Sequence, residues 1–309
     1  MQSQGPILVV EKLRKDFGRI QALKGIELVL DRPGVFGFLG PNGAGKTTTF
    51  KLAGALLRPT AGRVLINGAD VQKDTEAART GLGVLFDSPS FYPHLSGEQN
   101  MQVFARWLGK GLDGEIDRLL AMVGLEEAGN RRVKGYSWGM KQRLGLAAAL
   151  LSDPCLILLD EPTNGLDPAG IAAIRKLLPK LAYDEGRTIF LSSHRMEEVE
   201  QICDHITIIH QGNIVAAGSP ADLAAGDASI EIHCADPDAA LRLLNNIDGV
   251  RVAQRTGGRK LQLSAPALGP GRINQMLVEG GIEVEQVLER RESLEDVFFR
   301  LTGSKSDEE

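Results

Sequence analysis

The sequence predicts an α/β protein built on a mostly parallel, helix-covered sheet and followed by a smaller α+β domain. Two stretches carry that prediction. Strand-like residues 156–159 and 188–191 flank a helical segment over 170–183, and strand–helix–strand alternation places parallel strands under covering helices. Beyond about Ala225 the periodicity restarts in the order β-α-β-β-α-β, which is a small domain in its own right.

Taken in order, short apolar runs at 7–10, 26–30, 35–39 and 64–66 are separated by Gly, Pro and Asp, the pattern of an opening set of strands. The middle of the chain is mostly helical. Met101, Phe104 and Leu108 recur at helical spacing ahead of Gly109, and Ile116, Leu119, Leu120 and Val123 do so ahead of Gly124. In the C-terminal part, strands at 230–232, 250–253, 261–263 and 282–287 alternate with two helices. The first is capped by Asp236 with Pro237 in its first turn, and the second runs through Ile273 and Met276. A last helix starts at Ser293 with Asp296 three residues on, and its face of Leu294, Val297, Phe298 and Leu301 needs a surface to cover it. The polar end, 304–309, reads as a disordered tail. The expected plan is therefore a large domain over 1–225, an α+β extension over 226–303 that regulates or supports dimerisation, and the tail.

Composition narrows the class. With 309 residues, 43% hydrophobic and 24% charged, the chain can bury a full core. Lys and Arg number 35 against 40 Asp and Glu, and a net charge of -5 gives no support to a protein that coats nucleic acid. Cys155, Cys203 and Cys234 fall in no metal-binding or paired spacing, which fits a reducing compartment, and Cys155 lies in an apolar run that reads as core. No stretch approaches the roughly 18 apolar residues of a membrane helix, and residues 1–10 lack the pattern of a secretory leader. A membrane role would need another subunit to do the crossing.

The chemistry lies in two places. The strand at 35–39 runs into Gly40, Pro41, Asn42, Gly43, Ala44, Gly45, Lys46 and Thr47, with Thr48 next in the following helix. This is a G-x-x-x-x-G-K-[ST] loop in the strand–loop–helix setting the motif requires. Its backbone amides and helix N-terminus suit phosphates, Lys46 suits the terminal ones, and the Thr47 hydroxyl suits magnesium. The second place is the apolar strand at 156–159 that ends in Asp160 and Glu161. Adjacent carboxylates on a strand point in different directions, so Asp160 suits magnesium while Glu161 suits activation of the attacking water.

Between these elements, Tyr136-Ser137-Trp138-Gly139-Met140-Lys141-Gln142-Arg143-Leu144 resembles the signature of the nucleotide-binding subunits of ATP-binding cassette transporters. The order of phosphate loop, signature, carboxylate strand, Asn164-Gly165-Leu166-Asp167 and Ser192-Ser193-His194 resembles that family over about residues 8–223. The resemblance implies a P-loop NTPase cassette with an antiparallel β subdomain and a helical signature subdomain, joined here by a ferredoxin-like extension. It also implies ATP and Mg2+ as ligands, and two cassettes, identical or paralogous, that sandwich ATP. Ser137 and Gly139 would then face nucleotide held by the other copy, with Ser137 capping the helix that runs through Leu150. Asp167 would link the two sites, His194 would contact the γ-phosphate, and Phe17 would stack under adenine, although Phe17 also suits a strand-end core position.

Four residues depart from the family pattern: Tyr136, Trp138 and Met140 in the signature, and Asp87. Trp138 stands where glycine is usual, and packing against the dimer partner is the plain reading of it. Asp87 stands where the family has a glutamine that touches magnesium and the attacking water. Asp87 is thus a candidate metal and catalytic residue, yet a carboxylate cannot donate a hydrogen bond, and a loop role beside Pro89 is the alternative. The ending Ser293-Leu294-Glu295-Asp296-Val297-Phe298 resembles the type-2 exporter branch, whose membrane-spanning permease is a separate chain. That implies a cytoplasmic ATPase held at the inner face of the membrane, exporting a drug, antibiotic, lipid or similar amphiphile. The alternative is a soluble cassette ATPase acting on ribosomes or DNA.

Overall fold

A computed structural model of the chain describes residues 5–87, 89–109, 114–224, 229–247, 250, 252–264, 268–290 and 293–302. The expected boundary at Ala225 and the polar end 304–309 lie outside these residues. Two compact units result, Met1–Ser219 and Pro220–Glu309.

In the first unit, β1 (Leu8–Phe17), β2 (Ile20–Leu30) and β3 (Gly34–Leu39) lead through the phosphate loop into α1 (Lys46–Ala53). Then come β4 (Ala61–Ile66), β5 (Ala69–Asp70), α2 (Thr75–Arg79) and β6 (Leu82–Leu85), followed by α3 (Gly97–Trp107), α4 (Glu115–Met122) and α5 (Trp138–Leu150). The remainder is β7 (Leu156–Asp160), α6 (Pro168–Tyr183), β8 (Thr188–Ser193), α7 (Met196–Glu200), β9 (His205–His210) and β10 (Asn213–Gly218). One sheet, ordered β2-β1-β4-β5, is antiparallel, and the other is ordered β10-β9-β3-β8-β7-β6. In this larger sheet every pair is parallel except β9–β10.

The central strands are buried along their whole length, as strands covered on both faces must be. Phe38 of β3, Phe50 of α1 and Phe190 of β8 pack together, with the last two rings stacked at 4.8 Å between centroids. These aromatic contacts fix the helix behind the phosphate loop to the sheet. Polar N-caps begin three of the helices. Ser96 and Gln99 form a reciprocal box at α3, Ser137 accepts from Met140 N at α5, and Asp167 accepts from Gly170 N at α6.

The second unit opens with α8 (Pro220–Leu223) and continues through β11 (Ser229–Cys234), α9 (Pro237–Leu244), β12 (Val252–Gly257), β13 (Lys260–Ser264), α10 (Pro270–Glu279), β14 (Val284–Arg290) and α11 (Leu294–Thr302). Its sheet is antiparallel in the order β12-β13-β11-β14, the ferredoxin-like arrangement. Ile230, Ile232 and Cys234 on β11 and Leu261 and Leu263 on β13 pack with Ala240 and Leu244 of α9 and Ile273 and Leu277 of α10. Ser293 and Asp296 cap α11 reciprocally. Leu294, Val297 and Phe298 are buried within this chain, and Leu301 of the same face is exposed. One expectation changes here. Cys155 is half-buried, with Asn67 Nδ2 donating to its Sγ at 3.2 Å, rather than a core residue.

Candidate functional site

The parallel strands β3, β8 and β7 all finish at one edge of the sheet, and there a cavity of about 810 Å³ opens. That volume suits a small organic ligand. Its walls come from the phosphate loop (Pro41, Asn42, Gly43, Gly45), from Lys46, Thr47 and Thr48, and from the strand-end carboxylates Asp160 and Glu161; Asp87, Asn164 and His194 also line it, with Ala22, Lys51, Leu56 and Phe86 around them. Gly40 and Ala44 belong to the same loop without lining the cavity. Gly45 has φ +115°, and a Cβ there would come within 2.8 Å of the Ala22 carbonyl. The loop can lie this close to β2 because that position has no side chain.

Lys46 is 5% exposed. Its Nζ donates to the Gly40 carbonyl at 2.7 Å and the Pro41 carbonyl at 3.3 Å, and lies 3.4 Å from Glu161 Oε1. The other Glu161 oxygen lies 2.9 Å from His194 Nδ1. Glu161 is also one of the few non-glycine residues with left-handed backbone, at φ +53°, a conformation that costs about 1 kcal/mol or more and persists when surroundings enforce it. Here the Glu161 amide donates to Ser192 Oγ at 3.0 Å. The adjacent carboxylate is handled differently. Asp160 Oδ1 accepts from Ser192 Oγ at 2.6 Å and from Thr47 Oγ1 at 3.3 Å, while Oδ2 is buried with no hydrogen-bond partner among the described residues. Burial pushes the Asp160 carboxyl above the ordinary aspartate value against the pull of the two hydroxyls, and the charges of Glu161 and Asp87 add to the rise. A buried, unpartnered carboxylate oxygen beside a threonine hydroxyl is a pair of hard donors, and it fits a magnesium ion that keeps most of its water.

Asp87 does reach the cavity. Its Oδ1 accepts from Asn164 Nδ2 at 3.0 Å and its carbonyl from Gln142 Nε2 at 2.9 Å. Four other expected residues lie outside the cavity lining. Phe17 is 46% exposed with the Lys15 ammonium 4.9 Å from its ring centre. Ser137 and Asp167 serve as helix caps, and Gly139 sits beside Leu166. Trp138 is engaged within its own chain, through a bond from Nε1 to the Asn164 carbonyl at 3.1 Å. Sequence reasoning gave no individual role to Ser192, Asn164 or Gln142; each lies in or beside a recognisable motif, but its contact depends on which strand becomes its neighbour.

Comparison with known proteins agrees with this geometry. A family model described as ABC transporter matches residues 23–164. The bacitracin transport ATP-binding protein BcrA of Bacillus licheniformis is 34% identical over 96% of this chain and 97% of its own length. The daunorubicin resistance ATP-binding protein DrrA3 of Streptomyces coeruleorubidus is 37% identical over 96% of each chain. Among solved structures, the dimeric structure of a bacterial ABC transporter cassette superposes with a TM-score of 0.63 at 25% identity, covering 69% of this chain and 98% of that one. With full-length relatives on one side and a strand-end cavity around a phosphate loop on the other, the chain belongs to the ABC transporter family and is one of its ATP-binding, ATP-hydrolysing subunits.

Proposed function

We propose that this chain powers export of an amphiphilic compound, such as a peptide antibiotic, drug or lipid, through a separate membrane-spanning permease. The observation that carries the power-supplying half of the reading is the cavity in which Lys46, Asp160 and Glu161 converge. Relatives named for bacitracin transport and daunorubicin resistance match both the cassette and the C-terminal extension, which supports the export branch. No described helix is long and apolar enough to cross a membrane, consistent with a partner that does.

In this reading the loop amides from Gly40 to Thr48 and the Lys46 ammonium hold the ATP phosphates, and Phe17 offers its exposed ring to the base. Thr47 and Asp160, with Asp87 nearby, would hold Mg2+, which neutralises charge on the β- and γ-phosphates when bound. Glu161 accepts a proton from the attacking water, and His194, placed against the same carboxylate, steadies it and meets the γ-phosphate. Ser137, Gly139 and Asp167 lie outside the cavity of their own chain, and they act on nucleotide held by a second cassette. That copy is identical or a close paralogue.

Purification from native membranes tests this reading. A polytopic chain should co-purify in fixed ratio, and reconstituted with it the ATPase should respond to amphiphiles. Recovery with ribosomes or nucleic acid instead, and no membrane partner, would sink the export assignment.

A further inference from the structure

A closed circuit of hydrogen bonds surrounds Asp87. Trp138, the first residue of α5, donates its indole N–H to the Asn164 carbonyl at 3.1 Å. The Asn164 side chain donates to Asp87 Oδ1 at 3.0 Å. Gln142, one turn further along α5 and 2% exposed, donates to the Asp87 carbonyl at 2.9 Å. The indole also has a dedicated seat. Gly165 has φ +70°, and a Cβ there would come within 2.4 Å of the ring, so a side chain at 165 would displace it. Asp87 and Asn164 both line the cavity, whereas Trp138 and Gln142 approach from the helix behind.

Asp87 follows a strand of only four residues, β6, and an aspartate in a loop has several rotamers open to it. Three donors from two elements remove that freedom. One bond fixes a carboxylate oxygen, one fixes the backbone beneath it, and one fixes the residue that supplies the first. A carboxylate accepts through both oxygens, so acceptor capacity toward the cavity survives the bond to Asn164.

We propose that Trp138 is a positioning residue for ATP hydrolysis in its own chain, holding Asn164 so that Asn164 holds the Asp87 carboxylate at the cavity wall. The proposal rests on the reading of this cavity as the hydrolytic site. It predicts an effect on turnover that passes through Asp87 and disappears without it.

The test is a double-mutant cycle on the full chain, with kcat and KM for ATP measured in the presence of magnesium. Trp138→Phe keeps a ring over Gly165 and removes the N–H. It should lower kcat about three- to tenfold, the worth of one hydrogen bond, while KM stays within about twofold. In an Asp87→Ala background the same change should do nothing further. Asn164→Ala closes a second cycle that leaves the indole untouched, for use if Trp138→Phe folds poorly, and should likewise lose its effect without Asp87. Unchanged kcat in Trp138→Phe, or equal fold losses with and without Asp87, would overturn the proposal. Lys46→Ala separates the two levels: wild-type turnover in that variant would overturn the hydrolytic reading itself, whereas an inactive Lys46→Ala beside an additive cycle would overturn the positioning role alone.

Discussion

The mostly parallel sheet of the first unit and the antiparallel sheet of the second treat polar side chains in opposite ways. In β7 all five residues are buried and the polar one, Asp160, is the last. In β11, Ile230, Ile232 and Cys234 are buried, while Glu231 and His233 between them lie on the other face, 2.7 Å apart, with Lys260 3.7 Å from Glu231. A parallel sheet covered on both sides can place carboxylates only at strand ends, and its parallel strands end on one edge. An antiparallel sheet with one open face spreads them along every strand. The first arrangement gathers charged groups into a cavity; the second disperses them into pairs.

The comparison can be broken in three places. The largest effect should come from Glu161→Gln, which keeps the shape of the strand end but cannot take a proton from water. Hydrolysis should fall by roughly 10²–10⁴-fold with ATP binding retained, and steady-state turnover beside nucleotide titration would check it. Wild-type turnover would mean that the strand-end carboxylate is not the base. Next, Ile232→Ala empties a fully buried position of the antiparallel sheet. It should cost that unit about 2–4 kcal/mol, seen as faster hydrogen exchange over 229–290, and leave ATP affinity unchanged. A loss of affinity would show that the extension is part of the nucleotide site.

The smallest effect concerns Asp160, whose carboxyl burial raises above its ordinary value. A raised carboxyl favours the protonated form in the folded state. The folded chain therefore loses stability as pH climbs from the unfolded value through the folded one, and at neutral pH it bears the whole cost. Asp160→Asn should raise the melting temperature of the ATP-free chain by a few degrees at pH 7, with the gain shrinking in acid. A lower melting temperature would mean that the hydroxyls of Ser192 and Thr47 outweigh burial.

Much of this is legible in the sequence alone. The phosphate loop and the Asp160-Glu161 pair are contiguous in sequence, and contiguous motifs carry their own geometry. The β-α-β-β-α-β order of the extension was readable because each of its elements has a clear period and cap. Strand β6 was missed: four residues, one of them Gly83, offer too short a pattern. The hairpin of β9 and β10 was missed as well, with His205 and His210 at the ends of β9 breaking its apolar run. The contacts of Ser192, Asn164 and Gln142 were illegible for another reason. Ser192 meets Asp160 because β8 lies beside β7, and Asn164 and Gln142 meet Asp87 because β6 lies on the other side of β7, neighbours that no local pattern states. The place of Trp138 in the signature suggests a surface for a partner, and the residue is 42% exposed, whereas its bond to Asn164 is legible only in the fold.

The bond between Thr47 and Asp160 joins residues 113 positions apart. A magnesium nucleotide whose metal is held by both would therefore clamp two distant parts of the chain and bind only once both are in place. By mass action such a ligand adds about 2.7 kcal/mol of resistance to unfolding at a hundredfold excess over its Kd. Cellular energy supply then governs how long this subunit lasts as well as how fast it works: when ATP falls, the cassette opens more often to proteases. Digestion half-lives with and without ATP should differ accordingly, and equal half-lives would show that the clamp does not hold.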